Sequence, residues 1–173
     1  TLDANGTTTL KADFGATVDA GAVAAADLNT ISAQTTATID ATGATAINGS
    51  AADVATALAD TQISHDSDFN VTLTATAAAA TAITAIDAAT TKVVDASLVT
   101  TLTGTAAEIA AAATLDANST TNLKADFGAT VDVGAVNASD LNTISAQTTA
   151  TIAATNATAI NGSAADVATA LAD

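Results

Sequence analysis

Five aspartates, Asp60, Asp66, Asp68, Asp116 and Asp126, fall in two short stretches of the chain, 60–68 and 114–126. Carboxylates gathered in a compact loop are the donors a hard cation takes, since calcium collects six to eight oxygens. These residues are therefore the candidate Ca2+ ligands, with Asp3 and Asp13 in the equivalent stretch near the first residue. Neither stretch has EF-hand spacing or a GGxGxD calcium repeat. A second acidic set, Asp53, Glu108 and Asp166, lies three residues after Ser50, Thr105 and Ser163. That spacing is explained by helix capping, in which a hydroxyl accepts from the backbone N–H at N3 and an acid there reaches back. His65, the single histidine, stands in Ser64-His-Asp-Ser-Asp68. Neighbours in sequence have the wrong geometry for a nucleophilic triad, so it reads as a solvated loop residue. No Walker loop, Rossmann fingerprint, nucleophile elbow or zinc spacing occurs. No catalytic or cofactor-binding residue is assigned, and the chain reads as a non-enzyme.

The organisation explains why chemistry is sparse. Residues 1–60 return as residues 114–173 with seven differences. The intervening block aligns after a shift of 55: Asp13-Phe14 falls on Asp68-Phe69, Leu28 and Ile31 on Ile83 and Ile86, Thr35-Thr36 on Thr90-Thr91, and Gly49 on Gly104. The next Asp-Phe, Asp126-Phe127, follows 58 residues later. Three repeat units result, 1–60, 61–115 and 116–173, read as one continuous solenoid. The length change falls before each Asp-Phe, in what reads as a surface loop, because loops lengthen at little cost.

Composition limits the partners. Ala and Thr make up about half the chain, and Phe is the only aromatic, once per unit. Such a core is thin at roughly 25 cal/mol per Å² of apolar surface, and stacking units is one way to make it sufficient. The net charge is −15, with three lysines and no arginine, which argues against nucleic acid, whose phosphates need a basic surface. No apolar run reaches the ~18–20 residues of a membrane-spanning helix. The first residue is Thr1, so the sequence reads as an excerpt of a longer chain whose ends would associate end to end.

The elements follow from pattern. Behind Ser50, apolar Ala51, Val54, Ala55 and Leu58 share one helical face, which predicts a helix over 51–59 with equivalents after Thr105 and Ser163. Leu28 and Ile31 predict a second helix over 24–34, with Asn137 as the cap of its third-unit equivalent. Residues 10–14, 16–19, 36–40, 70–74 and 91–95 read as strands. Strands alternating with helices imply parallel pairing. The fold expected is an α/β repeat solenoid of short parallel strands and short helices, with an all-β solenoid as the alternative. The pairs Thr7-Thr8, Thr35-Thr36, Thr90-Thr91 and Thr148-Thr149 could line up as a hydroxyl ladder, the kind of face that binds ice, but Thr is scattered through every element. Seven N-x-S/T sequons occur, and chance explains most in so Thr-rich a chain.

The phrases DLNTISAQTTATIDA, AIDAATTKVVDA and LTGTAAEIAAA resemble Ala/Thr/Asp-rich tandem repeats of very large bacterial proteins, notably cyanobacterial ones. The resemblance covers the whole chain. It implies a secreted or surface-displayed location and a structural, scaffolding or adhesive role. The expectation is a non-catalytic repeat segment whose partners are neighbouring repeats. A calcium- or glycan-binding repeat module is the alternative.

Overall fold

A computed structural model describes residues 9–172. The pair Thr7-Thr8, and Asp3 among the candidate ligands, lie outside the described residues. The described chain is α/β, and six consecutive segments each end in a helix. Segment 9–32 holds β1 (Ala16–Thr17), β2 (Gly21–Ala24) and α1 (Ala25–Ser32). Segment 33–59 holds β3 (Ile39–Asp40), β4 (Ala44–Asn48) and α2 (Ala51–Ala59). Segment 60–89 holds β5 (Ile63–Ser64), β6 (Val71–Thr72), β7 (Ala77–Ala79) and α3 (Ala80–Ala89). Segment 90–117 holds β8 (Val94–Ala96), β9 (Thr101–Gly104) and α4 (Ala106–Ala117). Segment 118–145 holds β10 (Thr121–Leu123), β11 (Gly128–Val131), β12 (Gly134–Asn137) and α5 (Ala138–Ser145). Segment 146–172 holds β13 (Ile152–Ala153), β14 (Ala157–Asn161) and α6 (Ala164–Ala172). The six helices overrule the all-β alternative.

Every described strand pairing is parallel and joins adjacent segments. The ladders run β1-β3-β5, β2-β4, β6-β8-β10, β7-β9-β11-β13 and β12-β14. Bridges from Ala46 to Asn70 and from Gly49 to Leu73 carry β4 onto the strand that contains β6. Each helix packs against the next along the chain, α1 on α2 through α5 on α6. One sequence unit is therefore two structural segments. Ile39, for example, pairs with Ile63, only 24 positions on. The two halves of a unit are not alike: segments 60–89 and 118–145 insert a third strand before the helix. The pairing consequently steps over, so β9 meets β11 rather than β12.

Local chemistry sets the helix starts. The Ser50 hydroxyl accepts from the Asp53 N–H at 3.1 Å, and Ser163 accepts from Asp166 at 3.1 Å. At Thr105 the box is complete: the hydroxyl accepts from the Glu108 N–H, while Glu108 Oε2 accepts from the Thr105 N–H at 2.9 Å. Glu is long enough to reach back; in the other two the Asp carboxylate instead takes the cap's own hydroxyl proton, at 2.6 Å. Gly104 has φ +146°, and a Cβ there would sit 2.9 Å from that Glu108 oxygen, so glycine leaves room for the box. Asn137 takes the cap position of α5 but makes no capping bond. Its Nδ2 donates to the Asp140 carboxylate instead, at 3.2 Å.

Two expectations need correction. Residues 10–14 are not a strand: the Phe14 N–H donates to the Lys11 carbonyl, and in the third unit Phe127 does the same to Lys124, closing a turn. Phe127 on its turn is fully buried, Phe14 on its turn is half-buried, and Phe69 is fully buried as well. The length change between junctions is not taken up by a loop either. Loops 60–62 and 118–120 are equally long, whereas α2 has 9 residues and α4 has 12. Those three extra residues equal the difference between the 55- and 58-residue spacings. Three residues are close to one 3.6-residue turn, so the helix lengthens and still leaves the chain near the same face. Residues 114–117, expected in a loop, are thus the last turn of α4.

That turn ends in a Schellman arrangement. The Thr120 N–H donates to the Leu115 carbonyl at 3.1 Å and the Ser119 N–H to the Asp116 carbonyl at 2.9 Å, with Ser119 at φ +62°. Left-handed backbone disfavours any residue with a Cβ, and the equivalent position of the first unit is Gly6. Ser119→Gly is expected to raise unfolding free energy by about 0.5–1 kcal/mol, measured by chemical denaturation; a loss of stability would contradict the cap.

Candidate functional site

The acidic residues mostly serve the backbone around them. The Asp60 carboxylate accepts from the Ser32 hydroxyl at 2.5 Å and the Gln62 N–H at 2.9 Å. The Ser32 bond, then the Gln62 one, hold its pKa below the usual carboxylate range. It ties the end of α1 to the start of the third segment. Asp116 Oδ1 accepts from the Leu123 N–H at 2.7 Å and closes the passage from α4 to β10. Asp126 pairs with Lys124, and that hydrogen bond lowers its pKa. Asp13 makes the same pair with Lys11 at 3.1 Å. Asp66 and Asp68 are exposed in the junction between β5 and β6. Among the described residues, no three His, Cys, Asp or Glu side chains converge as a metal-holding group. Asp60, Asp66 and Asp68 share a junction, while Asp116 and Asp126 flank a different one.

His65 is more than a solvated loop residue. Its ring stands edge-on to Phe69, centroids 5.3 Å apart at 83°. With Nδ1 protonated it donates to the Asp66 carbonyl at 2.8 Å. The imidazole thus covers one side of the buried Phe, which sequence adjacency could not reveal.

The feature that recurs without change is a threonine clamp. Thr35 Oγ1 donates to the Phe14 carbonyl at 2.5 Å, Thr90 to Phe69 at 2.6 Å and Thr148 to Phe127 at 2.5 Å, each 21 residues apart. The same oxygen accepts from the N–H two residues on, in Ala37, Lys92 and Ala150. The second Thr of each pair donates its backbone N–H to Ala12, Ser67 and Ala125 in the preceding segment. The described threonine pairs are therefore fasteners between segments. Thr35 and Thr90 are buried, so the first member of these pairs is not available to an outer hydroxyl ladder.

Compared with models of protein families, with curated proteins and with solved structures, the chain matches none. The arrangement itself has to carry the reading. A further tie escaped the sequence reading: Asn29 Nδ2 donates to the Asp53 carbonyl at 3.0 Å, and Asn142 to Asp166 at 3.2 Å, linking neighbouring helices. The signal was present as an Asn beside the apolar pair Leu28 and Ile31 on a buried helix face. In the second unit the position is Thr84, which bonds within its own helix. No helix of the described residues is long and apolar enough to cross a membrane.

Two measurements follow from this geometry. Thr90→Val keeps the volume but strands the Phe69 carbonyl and the Lys92 N–H, and is expected to cost about 1–3 kcal/mol in urea unfolding. Thr91→Val, whose hydroxyl bond is exposed, serves as the control; equal losses would refute the clamp. Calcium and chelator are expected to leave the thermal midpoint unchanged. A bound ion at a hundred times its dissociation constant adds about 2.7 kcal/mol, so an upward shift with calcium would establish a site.

Proposed function

We propose that this chain is a structural, non-catalytic stretch of a tandem-repeat array, stacked as an α/β solenoid with two turns per sequence unit. The array belongs to a large secreted or surface-displayed bacterial protein, in which it spaces or adheres. The observation that carries the reading is the threonine clamp. Three units repeat the same hydroxyl-to-carbonyl bond at the same 21-residue separation, and each bond joins one segment to the next. Residues that keep their identity across the units do so to stack: the inward Phe, the capped helix start, the Thr pair. A strongly acidic surface, with a net charge of −15, suits a long array by keeping it soluble and its length free of self-collapse. The resemblance to Ala/Thr/Asp-rich repeats of giant bacterial proteins supports the same role and location.

An array of this kind loses a unit without losing its fold, because stability is close to a sum of local and nearest-neighbour terms. Deleting residues 60–117 joins the end of α2 to the loop that follows α4, in register. Small-angle scattering is expected to show a particle shortened by about a third, with helical circular dichroism per residue retained. Collapse of the whole chain to a disordered spectrum would sink the proposal.

A further inference from the structure

Asn48 is followed by Gly49 where β4 passes into α2. An Asn-Gly pair carries its own chemistry. The glycine nitrogen attacks Asn Cγ, helped by a backbone that turns freely without a Cβ. A C–N bond forms and the Cγ–Nδ2 bond breaks. The amide nitrogen leaves as ammonia, taking the proton from the glycine nitrogen. Water then opens the succinimide ring to aspartate or isoaspartate, and nothing but water is consumed. The attack requires a free glycine N–H and an amide free to swing onto it.

Segment 60–89 removes both freedoms. The Gly49 N–H donates to the Thr72 carbonyl at 3.3 Å, and Asn48 Oδ1 accepts from the Thr72 N–H at 2.9 Å. One residue of the neighbouring segment thus engages both reacting groups. On either side, the Ile47 N–H donates to the Asn70 carbonyl at 2.9 Å and the Thr74 N–H to the Gly49 carbonyl at 2.9 Å. Residues 47–49 cannot turn without breaking these bonds. The joint lies inside the stack, since segment 33–59 also pairs back to 9–32 and segment 60–89 also pairs forward to 90–117. At the matching place of the second unit stands Thr103-Gly104, which has no amide to lose.

We propose that Asn48 is a site of spontaneous deamidation gated by stacking: closed while segment 60–89 lies on segment 33–59, and open when that joint opens. Local opening of a folded chain costs less than global unfolding wherever few buried contacts hold a unit, and the joints of this Ala- and Thr-rich chain are thin. Each opening frees the Gly49 N–H and the Asn48 amide together, because Thr72 releases both at once. The change is lasting. Either product adds a negative charge, and isoaspartate routes the main chain through the side-chain carboxyl, one carbon longer. The Gly49 N–H then no longer meets the Thr72 carbonyl in register. The site therefore records joints that have opened. It goes beyond the structural role proposed above and needs only this one joint.

Mass spectrometry of the full chain, aged at mildly alkaline pH and then digested, tests this. Trypsin cuts after Lys11, Lys92 and Lys124, so Asn48-Gly49 is the one Asn-Gly pair in fragment 12–92. Folded wild type is expected to convert Asn48 at least about tenfold more slowly than the free peptide of residues 46–51, and urea-unfolded chain to match the peptide. Ile63→Val trims a buried side chain of β5 that pairs with Ile39, and is expected to speed conversion about two- to tenfold while the chain stays folded by circular dichroism. Ile144→Val makes the same change at a buried site in α5, far along the stack, and is expected to leave the rate as in the wild type. Conversion in the folded wild type at the peptide's rate overturns the proposal. So does an Ile63→Val rate equal to the wild type's, or equal acceleration by both variants, which would mean that global unfolding and not this joint sets the rate.

Discussion

A segment of 27 residues made mostly of Ala and Thr, such as 33–59, cannot bury its own apolar side. Ile39 and Ile152 make this concrete. They occupy the same place in near-identical stretches, yet Ile39 is fully buried and Ile152 is not. Among the described residues the difference is the next segment, 60–89, which covers Ile39 through β5 and has no described counterpart over Ile152. Phe127 and Phe14 repeat the contrast at the other end. Burial here is a property of the neighbour as much as of the residue, and everything else in the fold serves to bring that neighbour to the right height.

Placing the neighbour falls to polar fasteners, because the apolar contacts of small side chains are weak and non-directional. Phe14, Phe69 and Phe127 lie outside the strands, and Phe14 and Phe127 each close a turn, so the carbonyl of each needs a partner other than a strand. The Thr hydroxyl of the following segment supplies one, and its oxygen also receives the N–H two residues on. A buried carbonyl left unpaired would cost about 1–3 kcal/mol, a large penalty in a core this thin. Asn29 and Asn142 do comparable work between helices, through a bond to a carbonyl of the next helix. The three-residue insertion obeys the same constraint. It enters α4 as most of a turn, which leaves the strands on either side free to keep their pairing.

Legibility followed the range of the interactions. The caps at Ser50, Thr105 and Ser163 were readable because an N-cap is decided within four residues. The extent of α2, Ala51–Ala59, was readable for the same reason, from one amphipathic stretch after a cap. Strands were less so: 36–40 was expected to be extended, and only Ile39–Asp40 enters a ladder. A strand exists where a partner lies beside it, and that partner is more than twenty residues away. The surroundings of the candidate metal ligands show the same limit. Their actual neighbours include Ser32, from an earlier helix, which only the fold could bring to Asp60.

The sequence by itself determined that the chain repeats, that its helices begin at hydroxyl caps, and that strands and helices alternate. Those are local or self-comparative properties, carried by propensity and by the likeness of one copy to another. Only the tertiary structure decided that a unit is two segments rather than one and that the Thr pairs fasten segment to segment. It likewise decided that the extra residues of the second junction lengthen a helix. These depend on which surface each segment meets. With alanine and threonine on nearly every face, the pattern of side chains alone does not distinguish the face that will be covered from the face that will not.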